Sequence, residues 1–146
     1  MPAREVKQRV PADIWNGYFK FCVERNPWDK VLSHYYMHAA REGGSLSLEE
    51  YLARGRLPIN YFRYTDRSGR NVIVDRIVRY ENLFAELAEV FAQLHIPFDG
   101  TIGVTAKSEY RADRRPYREV FTDQQRRIVD NAFAREIELH RYQFEP

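Results

Sequence analysis

Apolar side chains in the first third of the chain change from a strand-like to a helix-like spacing near residue 25. Residues 18–23 are mostly aromatic and β-branched, a composition that favours a β-strand. After residue 27 the apolar positions recur three and four residues apart, which places them on one face of an α-helix. Asn26 as N-cap and Pro27 at the first helical position predict where this helix begins. Gly43 and Gly44 predict its end.

A β-hairpin followed by a helix is predicted in the middle of the chain. Its arms are residues 61–64 and 72–80, its turn covers residues 66–69, and the second arm is predicted to be mostly buried. Asn82 is predicted to cap the next helix, which carries an apolar stripe. The stripe consists of Leu83, Leu87, Val90, Phe91 and Leu94. The order strand, helix, strand, helix predicts an α/β layer whose helix-connected strands are parallel.

Shorter helices are predicted from local signals. Residues 3–10 and 12–17 can form two short helices interrupted by Pro11. Ser47 with Glu50 and Thr122 with Gln125 have the spacing of capping boxes, in which each side chain bonds the other's backbone N–H. The second box opens the last helix, which is predicted as one continuous element with a buried face. That face comprises Ile128, Val129, Ala132, Phe133, Ile137 and Leu139.

Composition indicates an ordinary globular protein. We expect one domain over residues 1–146, because the chain is 44% hydrophobic and 30% charged. The net charge of +2 is too small to attract a polyanion through the overall field, so any anion site must be local. No run approaches the roughly 20 apolar residues of a membrane helix, and no signal peptide is evident, so we expect a soluble, cytoplasmic protein without a membrane partner. The single Cys22 is expected to be buried and inert.

The junction between the first strand and the helix is a candidate anion site. The first amide groups of a helix lack intrahelical partners, and the helix dipole adds partial positive charge there. Arg25 could donate two hydrogen bonds to a phosphate, and Ser33, about two turns into the helix, could reach only a large anion such as a nucleotide phosphate. The alternative is an ordinary helix cap beside a solvated arginine.

This stretch, Arg-Asn-Pro-Trp-Asp-Lys-Val-Leu-Ser-His-Tyr-Tyr at residues 25–36, resembles a known motif. It is similar to the 3′-phosphate-binding motif of sulfotransferases that use 3′-phosphoadenosine-5′-phosphosulfate (PAPS), above all those directed at carbohydrates. The resemblance implies that Arg25 and Ser33 hold the 3′-phosphate of PAPS and of its product 3′,5′-adenosine diphosphate (PAP). It also implies a three-layer, P-loop-like α/β fold with a mostly parallel sheet.

A second stretch, Arg-Tyr-Glu-Asn-Leu at residues 79–83, resembles another signature of that family. The resemblance places Tyr80 near the adenine of the cofactor. The alternative is that this ring merely covers the edge of the sheet.

The long segment 96–121 is the third candidate part of the site. In the family this region closes over the cofactor, and Lys107 and Arg111 are the residues here that could do so. The alternative is a solvated basic loop. Interleaved tyrosines would also suit nucleic acid, but no nucleic-acid-binding signature accompanies them, and we do not expect that partner.

The Gly-rich loop that binds the 5′-phosphosulfate in the family has no counterpart in this sequence, and no catalytic base can be assigned. We therefore expect a C-terminal half of a sulfotransferase, either missing an N-terminal segment or forming a homo-oligomer through an unpaired sheet edge. The expected function is sulfuryl transfer from PAPS to a hydroxyl acceptor of carbohydrate type. The alternative is a non-catalytic module that binds a nucleotide or a protein.

A metal site at His34, His38 and Glu42 is a further hypothesis. The two histidines are four residues apart on one helix face, as metal ligands can be. The sequence offers no clear third ligand, and no metal is predicted.

Overall fold

A computed structural model describes residues 1–103 and 113–144. The described residues group into two compact units, the first formed by residues 1–25 and 60–101 and the second by residues 26–59, 102–103 and 113–144. The protein combines α-helices with a parallel pair of strands, which agrees with the predicted α/β class. A single domain over residues 1–146 stays a prediction.

The first unit contains the strands. Its elements are α1 (Ala3–Arg9), α2 (Ala12–Gly17), β1 (Phe21–Glu24), a 3₁₀ turn (Tyr61–Arg63), β2 (Arg76–Arg79), a second 3₁₀ turn (Tyr80–Asn82) and α5 (Leu83–Gln93). Within the described residues β1 and β2 pair in parallel, with Phe21 opposite Arg76 and Glu24 opposite Arg79. The prediction of parallel strands is confirmed. Val78 of β2 is fully buried, whereas Phe21 and Val23 of β1 are exposed.

The predicted hairpin over residues 60–80 forms only around its turn, and its arms do not form as predicted. Residues 61–63 form a 3₁₀ turn, and the two expected arms share a single antiparallel bridge between Thr65 and Val72. The reason is competition for backbone partners, because the N–H groups of Asp75 and Arg76 donate to the carbonyl of Lys20, which directs this segment to β1. Val72, which was predicted to be buried, is 38% exposed.

The helix after Asn82 forms, but not through the predicted cap. Asn82 makes no capping hydrogen bond with its side chain, and it ends a 3₁₀ turn in which the carbonyl of Tyr80 accepts the backbone N–H of Leu83. Leu87 and Val90 of the predicted stripe are buried.

The second unit is helical in its described part. Its elements are α3 (Pro27–Arg41), α4 (Leu48–Ala53), α6 (Tyr117–Val120), α7 (Asp123–Ala132) and α8 (Ala134–His140). Both predicted capping boxes, Ser47 with Glu50 and Thr122 with Gln125, are confirmed. The helices enclose a core that includes Trp28, Val31, Leu32, Leu52, Val129 and Phe133.

The last helix is divided in two, which corrects the prediction of one continuous element. Phe133 has φ −106° and ψ 18° and lies between α7 and α8. Ile128 and Leu139, both predicted to be buried, are 39% and 43% exposed.

Candidate functional site

Two of the predicted site residues meet at one edge of the parallel sheet. The last paired residues of the strands are Glu24 and Arg79, so Arg25 and Tyr80 follow directly at the same end. The guanidinium carbon of Arg25 lies over the Tyr80 ring, 4.5 Å from its centre. A cation over an aromatic face at this distance is attracted by the ring's quadrupole. Arg25 and Tyr80 therefore form a cation–π pair within the first unit.

The backbone at Arg25 is fixed by the residue before it. Glu24 is 1% exposed, and its Oε1 accepts a hydrogen bond of 3.0 Å from the backbone N–H of Arg25. Arg25 itself is half-buried and Tyr80 is 47% exposed. The N–H donors of an arginine lie in the plane of its guanidinium. A ring packed on the face of that plane therefore does not cover the in-plane directions in which a guanidinium donates to a phosphate. Glu24 is not recognisable as a site residue from the sequence, since no local signal indicates that a carboxylate at the end of a strand is buried.

Two other cations of the first unit, Lys20 and Arg76, are held by carboxylates. Lys20 Nζ lies 2.8 Å from Asp75 Oδ2, and this contact lowers the pKa of Asp75. Arg76 lies 2.6 Å from Glu89 and 3.5 Å from Glu86, which raises the pKa of the guanidinium. These pairs engage cations at the start of β2 and just before β1.

The N-terminus of α3 is capped as predicted, with a consequence for anion binding. Asn26 Oδ1 accepts hydrogen bonds from the backbone N–H groups of Trp28 and Asp29, at 3.1 and 3.2 Å. Pro27 has no N–H, and the N–H of Lys30 donates to the carbonyl of Asn26. The donors of this first turn are thus engaged within the chain. The amide groups of the predicted anion site are therefore bound by Asn26, and the helix dipole is what this end of α3 can contribute.

The remaining predicted residues are distributed differently. Ser33 is half-buried on α3, in the second unit, whereas Arg25 and Tyr80 belong to the first. Lys107 and Arg111 lie outside the described residues. The structure therefore brings together Arg25 and Tyr80, and it describes Ser33 as part of a separate unit.

A polar cluster on α3 joins two histidines to a buried tyrosine. His34 Nδ1 lies 2.7 Å from Tyr51 Oη, and His34 Nε2 lies 3.3 Å from His38 Nε2. Tyr51 is 3% exposed, and burial raises the pKa of its hydroxyl well above the usual range. The sequence indicated the two histidines but not Tyr51, which comes from α4. Glu42, the third member of the metal hypothesis, is bound instead by Arg54 at 2.6 and 2.9 Å.

No group of three or more potential metal-binding side chains occurs in the part of the chain that the structure describes. Likewise, no helix in residues 1–103 and 113–144 is long and apolar enough to cross a membrane.

The fold and this edge of the sheet define a small α/β protein with an arginine–tyrosine pair at the carboxyl ends of parallel strands. Comparison with known sequences adds a relative, an uncharacterized protein of Archaeoglobus fulgidus, which is 37% identical over 117 residues. The alignment covers 76% of this chain and 98% of that protein. The chain belongs to the family of this archaeal protein. No protein-family model and no solved structure matches it.

Proposed function

We propose that this protein is a PAPS-dependent sulfotransferase that transfers a sulfuryl group to a hydroxyl acceptor of carbohydrate type. In this proposal the chain supplies the 3′-phosphate and adenine side of the cofactor site, within a P-loop-like sulfotransferase fold. The observation that carries it is the contact of Arg25 with Tyr80. Two residues taken from separate sequence signatures of one family lie 4.5 Å apart at one end of a parallel sheet.

The proposed roles follow from the chemistry of each side chain. Arg25 would bind the 3′-phosphate through two charge-assisted hydrogen bonds. Tyr80 would hold the guanidinium on one side and offer its exposed ring edge to the adenine. Ser33 would add a neutral hydrogen bond from the second turn of α3, whose dipole favours a negative charge at its N-terminus.

The transfer itself breaks the bond between sulfur and the 5′-phosphate oxygen and forms a bond between sulfur and the acceptor oxygen. The acceptor proton passes to a general base, and the products are a sulfate ester and PAP. Arg25 and Ser33 act at the remote end of the donor. Binding energy gained there orients the sulfonate and so contributes to the rate of transfer.

The direct test is a calorimetric titration with PAP, with 5′-AMP as the ligand that lacks the 3′-phosphate. We expect PAP to bind more tightly, and Arg25→Ala to weaken PAP binding about 10- to 150-fold, the equivalent of about 1.5–3 kcal/mol for a charged hydrogen bond. Ser33→Ala removes a neutral hydrogen bond and should cost less. Arg127→Ala is the matched control, because Arg127 is an exposed arginine of α7 and its loss changes the net charge equally.

Two results would count against the assignment. Equal affinity for PAP and 5′-AMP would mean that no 3′-phosphate site exists. Equal losses from Arg25→Ala and Arg127→Ala would mean that only the net charge matters.

A non-catalytic interaction module is the second candidate, and it is supported by β1. Phe21 and Val23 of this strand are 39% and 41% exposed, so apolar side chains face outward from a strand that can accept another strand at its edge. This candidate requires self-association or capture of a partner strand without sulfate ester formation. Sedimentation velocity of the wild type and of a Val23→Lys variant distinguishes it, because the lysine should abolish association that depends on this strand and leave PAP binding unchanged.

A further inference from the structure

We propose that His34 and His38 form a two-histidine chelate for a divalent transition metal such as Zn²⁺. The proposal concerns only α3 and α4 of the second unit and is independent of the sulfotransferase assignment.

The separation of the two ring nitrogens is the first argument. His34 Nε2 and His38 Nε2 lie 3.3 Å apart. Two ligands bound to one tetrahedral zinc, each at about 2.0–2.1 Å, are themselves about 3.3 Å apart. A hydrogen bond between the rings has a similar length, but it needs one nitrogen to carry a proton. In the chelate both Nε2 atoms are deprotonated and both point at the metal.

Rigid placement of the rings is the second argument. The two residues are one helical turn apart in α3, a helix of 15 residues, and their ring centres are 4.4 Å apart. The ring centre of Tyr51 lies 5.8 Å from that of His34 and 6.1 Å from that of His38. Rings that are already packed lose little conformational freedom when they bind a metal.

The hydroxyl of Tyr51 is the third argument. A histidine bound through Nε2 carries its proton on Nδ1 and usually donates it to a fixed acceptor. Tyr51 Oη lies 2.7 Å from His34 Nδ1. A neutral phenol oxygen can accept the Nδ1 proton and hold the ring in the metal-binding tautomer.

Two imidazoles leave the remaining positions of the metal for water or another exchangeable ligand. Glu42 does not complete the site, because both of its carboxylate oxygens bind Arg54. Imidazole nitrogen favours Zn²⁺, Ni²⁺ and Cu²⁺ over Mg²⁺ and Ca²⁺, which prefer oxygen.

The experiment is a calorimetric titration of the full chain with ZnCl₂ in a buffer that does not bind metal. We expect saturable 1:1 binding that Mg²⁺ does not reproduce. His38→Asn should weaken it at least about tenfold, and Tyr51→Phe about 10- to 100-fold, the usual effect of removing such a supporting hydrogen bond. His95→Asn is the matched control, because His95 is exposed and has φ 56°, a conformation that asparagine tolerates.

The proposal is overturned if the wild type shows no saturable Zn²⁺ binding or if His38→Asn binds as tightly as the wild type. Should a variant fail to fold by circular dichroism, nitrogen NMR of the wild-type imidazoles decides. Zn²⁺ must shift the Nε2 signals of His34 and His38 and leave that of His95 in place. Unchanged His34 and His38 signals would mean that the pair is only hydrogen-bonded.

Discussion

The guanidinium of Arg25 lies 4.5 Å from the centre of the Tyr80 ring, and each residue directly follows the last paired residue of its strand. This contact allows the ring to be tested separately from the charge. Tyr80→Phe keeps the aromatic face, whereas Tyr80→Leu removes it.

We therefore expect Tyr80→Leu to weaken PAP binding by the value of an exposed cation–π contact, about 0.5–1 kcal/mol, and Tyr80→Phe to have a smaller effect. Calorimetric titration of the two variants measures the difference. If both substitutions weaken binding equally, the hydroxyl and not the ring is the important group, and the cation–π account fails.

The Asn26 cap should contribute to stability independently of any ligand. Asn26→Ala leaves the N–H groups of Trp28 and Asp29 without their side-chain acceptor and should lower the free energy of unfolding by about 0.5–2 kcal/mol. Urea denaturation followed by circular dichroism measures this loss. Asn26→Asp keeps the acceptor and should retain most of the stability, and a loss as large as that of the alanine variant would contradict the capping role.

Trp28 joins the core of the second unit to α7 through a hydrogen bond. Its indole Nε1 donates to Asp130 Oδ1 at 2.8 Å, and the side chain is 2% exposed. Trp28→Phe removes a hydrogen bond to a charged acceptor and part of the buried surface, so we expect a loss of about 2–4 kcal/mol in urea unfolding.

Asp130→Asn is the control for that bond, because it keeps an oxygen acceptor for the indole. It also removes the charge that faces Arg126 at 3.4 Å, a partly exposed pair worth about 0–1 kcal/mol. A loss for Asp130→Asn as large as the loss for Trp28→Phe would contradict this account, because Asp130→Asn keeps an acceptor for the indole and removes only a weak ion pair.

Asp66 organises the turn before β2 and should titrate unusually. Hydrogen bonds from the side chains of Ser68 and Asn71, and from backbone N–H groups, hold the pKa of this carboxyl well below its ordinary value. A group whose pKa is lowered by folding stabilises the fold above its unfolded pKa of about 3.9, and this contribution is lost as the pH falls through the lower folded value.

Ser68→Ala should raise the pKa of Asp66 toward the ordinary value, because it removes the largest of these interactions. Carbon NMR of the carboxyl group during an acid titration gives the midpoint directly. Ser45→Ala is a suitable control, since that hydroxyl donates to the carbonyl of Glu42 and should not move the Asp66 midpoint.

Cys22 should react slowly with thiol reagents in the folded protein. Burial, with a smaller effect of Glu24, raises the pKa of the thiol to about 12, so the reactive thiolate is scarce at neutral pH. We expect iodoacetamide labelling at pH 8 to be at least about a hundredfold slower than in urea, where the pKa returns to about 8.5. Rapid labelling of the native chain would mean that Cys22 is accessible and ionised.

Signals between neighbours in the sequence predicted the helix termini well. The Asn26 cap, the glycines after α3 and the two capping boxes act through hydrogen bonds or backbone conformations spanning a few residues, so the same residues that carry the signal form the structure. The parallel pairing of β1 with β2 was also predictable, because helices connect strands of that kind. Asn82 is the exception, since its side chain makes no capping hydrogen bond.

Tertiary structure decided the features that depend on distant partners. The sequence of residues 72–79 fits the arm of a hairpin as well as it fits a parallel strand. Hydrogen bonds to the backbone of Lys20 and pairing with β1 decide where this segment lies. Burial of Glu24 and exposure of Ile128 depend on elements that no local window contains.

For the candidate sites, too, some features were predictable from the sequence and others depend on the tertiary structure. The sequence by itself determined which residues have suitable chemistry, namely Arg25, Ser33, Tyr80 and the two histidines of α3. Strand register brought Arg25 to Tyr80, and α4 brought Tyr51 to His34. Side-chain chemistry is a property of each residue, whereas distance between residues far apart in the chain depends on packing, and only the folded chain defines it.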